Sequence, residues 1–192
     1  MATTPHSLPW TGDEEADRLI AEDPVALLIG FVLDQQVTVQ KAFSGPLELR
    51  RRLGHLDPER IAAADPTELA EVFRRRPALH RFPAAMAERV QALCALLVER
   101  YGGDATRIWD GAASGGELAA RLAELPGFGP LKVRSVVATL VKRFGLRLPG
   151  IEDVMPGHPT LGDVDSAQAL AAYQEAKRAH KRAARSAQER AG

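Results

Sequence analysis

The stretch Leu125-Pro126-Gly127-Phe128-Gly129-Pro130-Leu131-Lys132 decides how this chain is read. A helical pattern from Gly116 to Glu124 precedes it and a second one, from Leu131 to Phe144, follows it. The spacing predicts two helices joined by a tight Pro-Gly-x-Gly turn, a helical hairpin. Gly127 and Gly129 can take positive φ and bring backbone close to another molecule with no Cβ in the way. The turn runs straight into a helix N-terminus, where unpaired N–H groups and the positive dipole end favour a phosphate. An ordinary turn between helices would carry the same residues, so the hairpin alone does not fix a function.

Outward from the hairpin the pattern stays helical. There is almost no period-2 alternation, and Asp23-Pro24, Asp57-Pro58 and Asp65-Pro66 each read as a helix start. Aspartate at the N-cap accepts from free amides, and proline at the first helical position has no N–H to leave unpaired. The expected helices are Asp23 to Gln36, Asp57 to Ala63, Asp65 to Arg75, a long one from Pro83 to Tyr101 closed by Gly102-Gly103, and a short turn from Thr106 to Trp109. Six Pro and Gly residues between Leu148 and Gly162 mark a loop, and Ser166 to Gln188 reads as a last, basic helix whose apolar side is confined to Leu170–Tyr173. The expected core is Leu27, Leu28, Phe31, Val32, Leu93, Leu96, Leu97, Val136, Val137 and Leu140. The organisation that follows is an N-terminal segment (1–23), a helical core (24–147), a Pro/Gly loop (148–165) and a basic C-terminal helix (166–192).

A content of 45% hydrophobic and 26% charged residues fits a folded globular chain and excludes a disordered one. Basic and acidic residues number 25 each, so any attraction to a polyanion must come from segregated charge. The start is acidic (Asp13, Glu14, Glu15, Asp17, Glu22, Asp23) and the end basic (Lys177, Arg178, Lys181, Arg182, Arg185). Cys94 is the only cysteine and lies in an apolar helical run, which suits a buried structural thiol. No apolar run is long enough to span a membrane and no signal peptide precedes the first helix, so a cytoplasmic protein, acting as a monomer, is expected.

Three segments carry a family resemblance: the LPGFGPLK hairpin, Val32-Leu33-Asp34-Gln35-Gln36-Val37-Thr38-Val39 upstream, and Leu79 to Tyr101 with its His80-Arg81-Phe82 start. In this order, over residues 24 to 145, they resemble the helix-hairpin-helix (HhH-GPD) DNA glycosylase superfamily. Leu33-Asp34-Gln35-Gln36, Ala42-Phe43-Ser44-Gly45-Pro46 and Pro77-Ala78-Leu79-His80-Arg81-Phe82-Pro83 look like a short subgroup of it. The resemblance implies an all-α fold of two helical lobes with a DNA cleft, and double-stranded DNA as partner. It implies a hairpin that clamps one strand by backbone amides, with a monovalent cation bound there in many members. Gly127, Phe128, Gly129, Lys132 and Arg134 are then DNA-binding, and Gln35 or Gln36 fills the gap left by an extruded base. Many members hold an iron–sulfur cluster on four cysteines, which a chain with one cysteine cannot do. No protein-bound metal is expected.

Cutting a glycosidic bond needs a carboxylate near a sugar that becomes an oxocarbenium ion. The superfamily supplies an aspartate after the hairpin's second helix, inside a Val-Asp-x-x-Val-x-Arg pattern. By register from Gly145, Glu152 falls at that position and Asp153 one residue later, but neither has Val before it or Arg after it. Asp34 stands where the superfamily has a small or apolar residue. It either pairs with a base such as Lys41 or supplies the carboxylate that the loop lacks. Members that also cut the strand use a lysine two residues after the second hairpin glycine. Leu131 is there in this chain, and Lys132 is turned from it by roughly 100°, so Lys132 is read as a phosphate contact and His80 as a core or capping histidine. The expectation is a monofunctional DNA N-glycosylase. The alternatives are a non-catalytic DNA binder that kept the hairpin and lost the carboxylate, and an interaction module without a DNA role.

Overall fold

The computed structural model describes residues 4–191; the side chains of residues 180, 181 and 184–191, which include Lys181 and Arg185 of the basic end, lie outside the described set. Among the described residues there is no strand. The elements are α1 (Glu14–Glu22), α2 (Pro24–Leu33), α3 (Val39–Leu53), α4 (Pro58–Ala62), α5 (Pro66–Arg74), α6 (Pro83–Tyr101), α7 (Arg107–Asp110), α8 (Gly115–Ala123), α9 (Pro130–Lys142) and α10 (Ala167–Ala191). Two 3-10 turns, Ile151–Val154 and Leu161–Asp163, lie between α9 and α10.

The Asp-Pro starts form as their chemistry dictates. The carboxylates of Asp23, Asp57 and Asp65 each accept from the second and third amides of the helix they open, at 2.8–3.2 Å. Each satisfied cap contributes about 1 kcal/mol. Asp13 caps α1 in the same way, so part of the acidic N-terminal segment is a helix, packed on α2 and α3. Ahead of it Trp10 is buried edge-on against Phe31 and Phe43, with ring centroids 6.1 and 4.9 Å away. From Leu8 onward this segment is thus joined to the core: Leu8, Trp10, Leu19 and Ile20 are all buried in it.

Helix α2 ends at Leu33, short of the expected Gln36, because the chain turns there toward α3, which Thr38 caps. Helices α4 and α5 pack on α6, and α2 joins the two groups by meeting α6. Nine of the ten expected core residues are buried, and Leu96 packs partly buried against them.

The Pro/Gly stretch after α9 is more ordered than a loop. The first 3-10 turn packs on the start of α8, with the Gly115 amide donating to the Pro149 carbonyl at 2.9 Å. The second packs on α9, where Gly162 lies against the helix backbone. A Cβ there would sit 2.7 Å from the carbonyl carbon and oxygen of Ala138. Leu170 of α10 is buried, and a reciprocal amide pair, Gln40 with Gln174, ties α10 to α3 at 2.7 and 3.3 Å.

Candidate nucleic-acid interface

The hairpin turn joins α8 to α9. Gly127 has φ +80°, the left-handed conformation that a side chain strains, whereas Gly129 has φ −79° and caps α9 with open space where a Cβ would be. Pro126 and Pro130 have no N–H, and the Phe128 amide donates to the Leu125 carbonyl at 3.1 Å. The amides of Gly127, Gly129, Leu131 and Lys132 donate to nothing among the described residues. That leaves a run of unpaired donors at the positive end of a helix. Phe128 is 6% exposed, and its side chain packs in the core. Arg134 is exposed on α9.

The glutamine turn lies against the hairpin. A Cβ on Gly127 would be 3.5 Å from Gln35 Nε2 and 3.7 Å from Arg89 Cδ. The two glutamines differ sharply. Gln35 is held twice: its side-chain Oε1 accepts from Arg89 Nη1 at 2.5 Å, and its carbonyl accepts from His80 Nε2 at 2.9 Å. His80 Nδ1 in turn accepts the Phe82 amide at 3.0 Å, so the neutral ring with a proton on Nε2 uses both nitrogens. Burial is the main cause that holds the His80 pKa below its ordinary value. Gln36 is exposed at φ +54°, a left-handed conformation that costs a non-glycine residue roughly 1–2 kcal/mol.

Asp34 is the carboxylate nearest this turn. It is half-buried at the end of α2, and its charged neighbours are Lys132 of α9 and Lys177 of α10. Lys41, the partner considered from sequence, instead donates to the Ala78 carbonyl at 2.7 Å. Lys132 is turned inward. Its ammonium is buried with no hydrogen-bond partner, 5.6 Å from the Phe128 ring centroid. Its neighbour Leu131 is 72% exposed, as one helical step of roughly 100° requires. Desolvation lowers the Lys132 pKa to about 8; Asp34 opposes that shift and Arg89 and Lys177 add to it. Desolvation likewise raises the Asp34 pKa against the pull of the two lysines. Burial therefore outweighs mutual attraction for both partners.

Two residues of this group carry no signal that identifies them in the sequence. Tyr173 and Lys177 are one helical turn apart on α10, with the Lys177 ammonium 5.8 Å from the Tyr173 ring centroid. Tyr173 is partly buried against the core, which raises its phenol pKa, with Lys177 opposing. The apolar side expected at Leu170–Tyr173 points to this docking but not to what it meets.

The loop carboxylates lie elsewhere. Glu152 and Asp153 are exposed on the first 3-10 turn, beside the first turn of α8. The hairpin turn follows the other end of that nine-residue helix, roughly 13 Å along its axis. Asp163 pairs with Lys142 at 2.5 Å and closes a capping box with Thr160. The Val-Asp pair sought around Ile151 does occur at Val164-Asp165, but Asp165 is exposed and lies two residues ahead of α10.

A hollow between α6, α7 and α8 lies apart from all of these groups, and its arginines are already paired: Arg100 with Glu124, Arg107 with Asp104 and Arg121 with Glu117. Among the described residues no group of three or more His, Cys, Asp or Glu side chains is placed to hold a metal ion, and no helix is long and apolar enough to cross a membrane.

One family, described as HhH-GPD superfamily base excision DNA repair protein, matches residues 29–184. No curated protein and no solved structure matches the chain.

Proposed function

Because the chain belongs to the HhH-GPD superfamily of base excision DNA repair proteins, we propose that it is a monofunctional DNA N-glycosylase whose carboxylate is Asp34. The observation that carries this reading is the burial of Asp34 beside the hairpin, next to Lys132, while Glu152 and Asp153 stand in solvent. The unpaired amides of Gly127, Gly129, Leu131 and Lys132 take the phosphates of one strand of double-stranded DNA, and the reading calls for no cofactor beyond a monovalent cation at that turn. Gln36, free and projected by its left-handed backbone, fills the stack when a base is extruded; Gln35 is spent on Arg89 and His80. Asp34 then stabilises the oxocarbenium ion while water attacks C1′ and the base departs. Lys132 and Lys177 oppose the burial that raises the Asp34 pKa, and so favour its carboxylate form. The protein works as a monomer in the cytoplasm, with the DNA it repairs.

The test is a panel of duplexes with alkylated, deaminated, oxidised or mismatched bases, scored for abasic sites by alkali. Release that dies with Asp34→Asn and survives Asp153→Asn and Glu152→Gln supports the assignment. Binding without release from any duplex favours the non-catalytic reading.

One observation favours a second chemistry at the same place. Lys132 has a buried amine with a pKa of about 8, the state in which a lysine becomes a nucleophile. Attack of that neutral amine on C1′ would break the C1′–N bond to the base, the amine's proton passing to the departing base; cleavage of the C1′–O4′ bond, with O4′ taking a proton, would then leave an iminium that borohydride traps. A trapped covalent complex that Lys132→Met abolishes would establish this route over water attack.

A further inference from the structure

The loop from Arg75 to Phe82 has a construction that the hairpin and the glutamine turn do not explain. Arg75, Arg76 and Arg81 are exposed and form no ion pair among the described residues; Arg81 only lies over the Phe82 ring, 4.8 Å from its centroid. On nearby helices three exposed arginines are matched with acids: Arg50 and Arg51 of α3 with Glu15, and Arg74 of α5 with Glu71.

The loop that presents the unmatched three is fixed. Arg52, whose side chain is 5% exposed, spends its guanidinium on the carbonyls of Val72, Arg75 and Pro77 at 2.7–2.9 Å and on Glu48 at 2.7 Å. Lys41 holds the Ala78 carbonyl, and the Leu79 amide donates to Phe73 at 3.0 Å. A buried arginine used to order backbone, beneath exposed arginines left without acids, is an arrangement that presents positive charge at a fixed place. The position is specific as well. His80, inside the loop, holds the Gln35 carbonyl, while the Gly127 turn lies beside the Gln35 amide group, where an added Cβ would meet it at 3.5 Å. The glutamine turn therefore sits between the hairpin and this loop.

The geometry points to the Arg75–Arg81 loop as a second DNA-backbone grip, taking phosphates on the side of the glutamine turn away from the hairpin. The ligand is the phosphodiester chain of duplex DNA, chosen by charge complementarity: guanidinium groups pair with phosphate oxygens in bidentate fashion, and no base edge is needed. The inference rests on the DNA-binding reading above and adds to it a site on a different element. With one grip on each flank of Gln36, the duplex is held on both sides of the point where a base leaves the stack.

The test is the salt dependence of binding to an undamaged duplex, read by fluorescence anisotropy. Each phosphate contact adds about 1 to the log–log slope. Arg75→Ala/Arg76→Ala lowers the slope by about 2 and weakens lesion and plain duplexes alike, with the melting temperature unchanged. Arg74→Ala, whose partner is Glu71, leaves the slope where it was. A double variant with wild-type slope and affinity overturns the second grip while the hairpin reading stands. A loss of slope in the double variant without any effect of Gly129→Ala keeps the second grip and removes the hairpin. No salt-dependent DNA binding by the wild type overturns both.

Discussion

Asp34→Asn keeps the size of the side chain and removes its charge, and the size of its effect separates the candidate carboxylates. Asp34 is half-buried between α2, α9 and α10, where an effective dielectric near 20 applies. A carboxylate about 4 Å from a developing positive charge contributes about 4 kcal/mol in such a place, against about 1 kcal/mol for one bathed in water. At about 1.4 kcal/mol per tenfold in rate, that is roughly a thousandfold for Asp34 and roughly fivefold for exposed Glu152 or Asp153. Single-turnover base release is the quantity to measure, with enzyme in excess, on whichever duplex of the panel the wild type cleaves. DNA affinity should hold to within about twofold, since only the transition state carries the full charge. Circular dichroism checks the fold, because the variant leaves the buried Lys132 ammonium without its anion. An Asp34→Asn rate within about tenfold of the wild type, on a folded protein with normal DNA binding, would falsify the assignment. A thousandfold loss in Asp153→Asn instead would move the chemistry to the 3-10 turn after α9.

The Lys132 pKa of about 8 lies below the ordinary lysine value of 10.5. The unfolded chain therefore binds more protons between those values, and stability rises with pH across that window. The wild type should gain about 3 kcal/mol from pH 8 to 10.5 relative to Lys132→Met; parallel urea midpoints for the two proteins would contradict this. Gly129→Ala should weaken DNA binding with no loss of melting temperature, since its φ suits alanine and the space is open. Gly127→Ala should also cost about 1 kcal/mol of stability, and the comparison of anisotropy with calorimetry separates close approach from strain. Gly162→Ala should destabilise by about 1–3 kcal/mol, because its Cβ would meet the Ala138 backbone at 2.7 Å rather than a movable side chain. Cys94, buried with its thiol pushed up to about 12, should react with a thiol reagent only after unfolding.

Local chemistry was the legible part of this fold. Asp23, Asp57 and Asp65 start helices through bonds to residues two and three positions on, so their sequence neighbours suffice. The hairpin was legible for the same reason. Helix α3 was not among the expected helices; it runs through Gly45 and Pro46, with Phe43, Leu47 and Leu49 buried on its inner side. Of the site, the glutamine turn is visible in sequence, but which glutamine is free depends on Arg89 and His80, 54 and 45 residues away. Register from Gly145 favoured Glu152 and Asp153, whereas the path of the chain after α9 carries them to the far end of α8. The group around Asp34 draws on α2, α9 and α10, and no spacing rule relates three elements so far apart.

Trp10 donates from Nε1 to the Val164 carbonyl, 154 residues later in the chain. That bond has a bearing on the order of synthesis. At roughly 5–20 residues per second the ribosome needs about 8–30 s to travel between the two. Through that interval Trp10 has its aromatic neighbours Phe31 and Phe43 but not its cover, and Gln40 waits as long for Gln174. The nascent chain thus carries its glutamine turn for most of translation before Lys132, Tyr173 and Lys177 arrive to surround Asp34. Premature termination ahead of Val164 would release a product with the hairpin present, Trp10 uncovered and Asp34 without its neighbours on α10, a substrate for proteolysis.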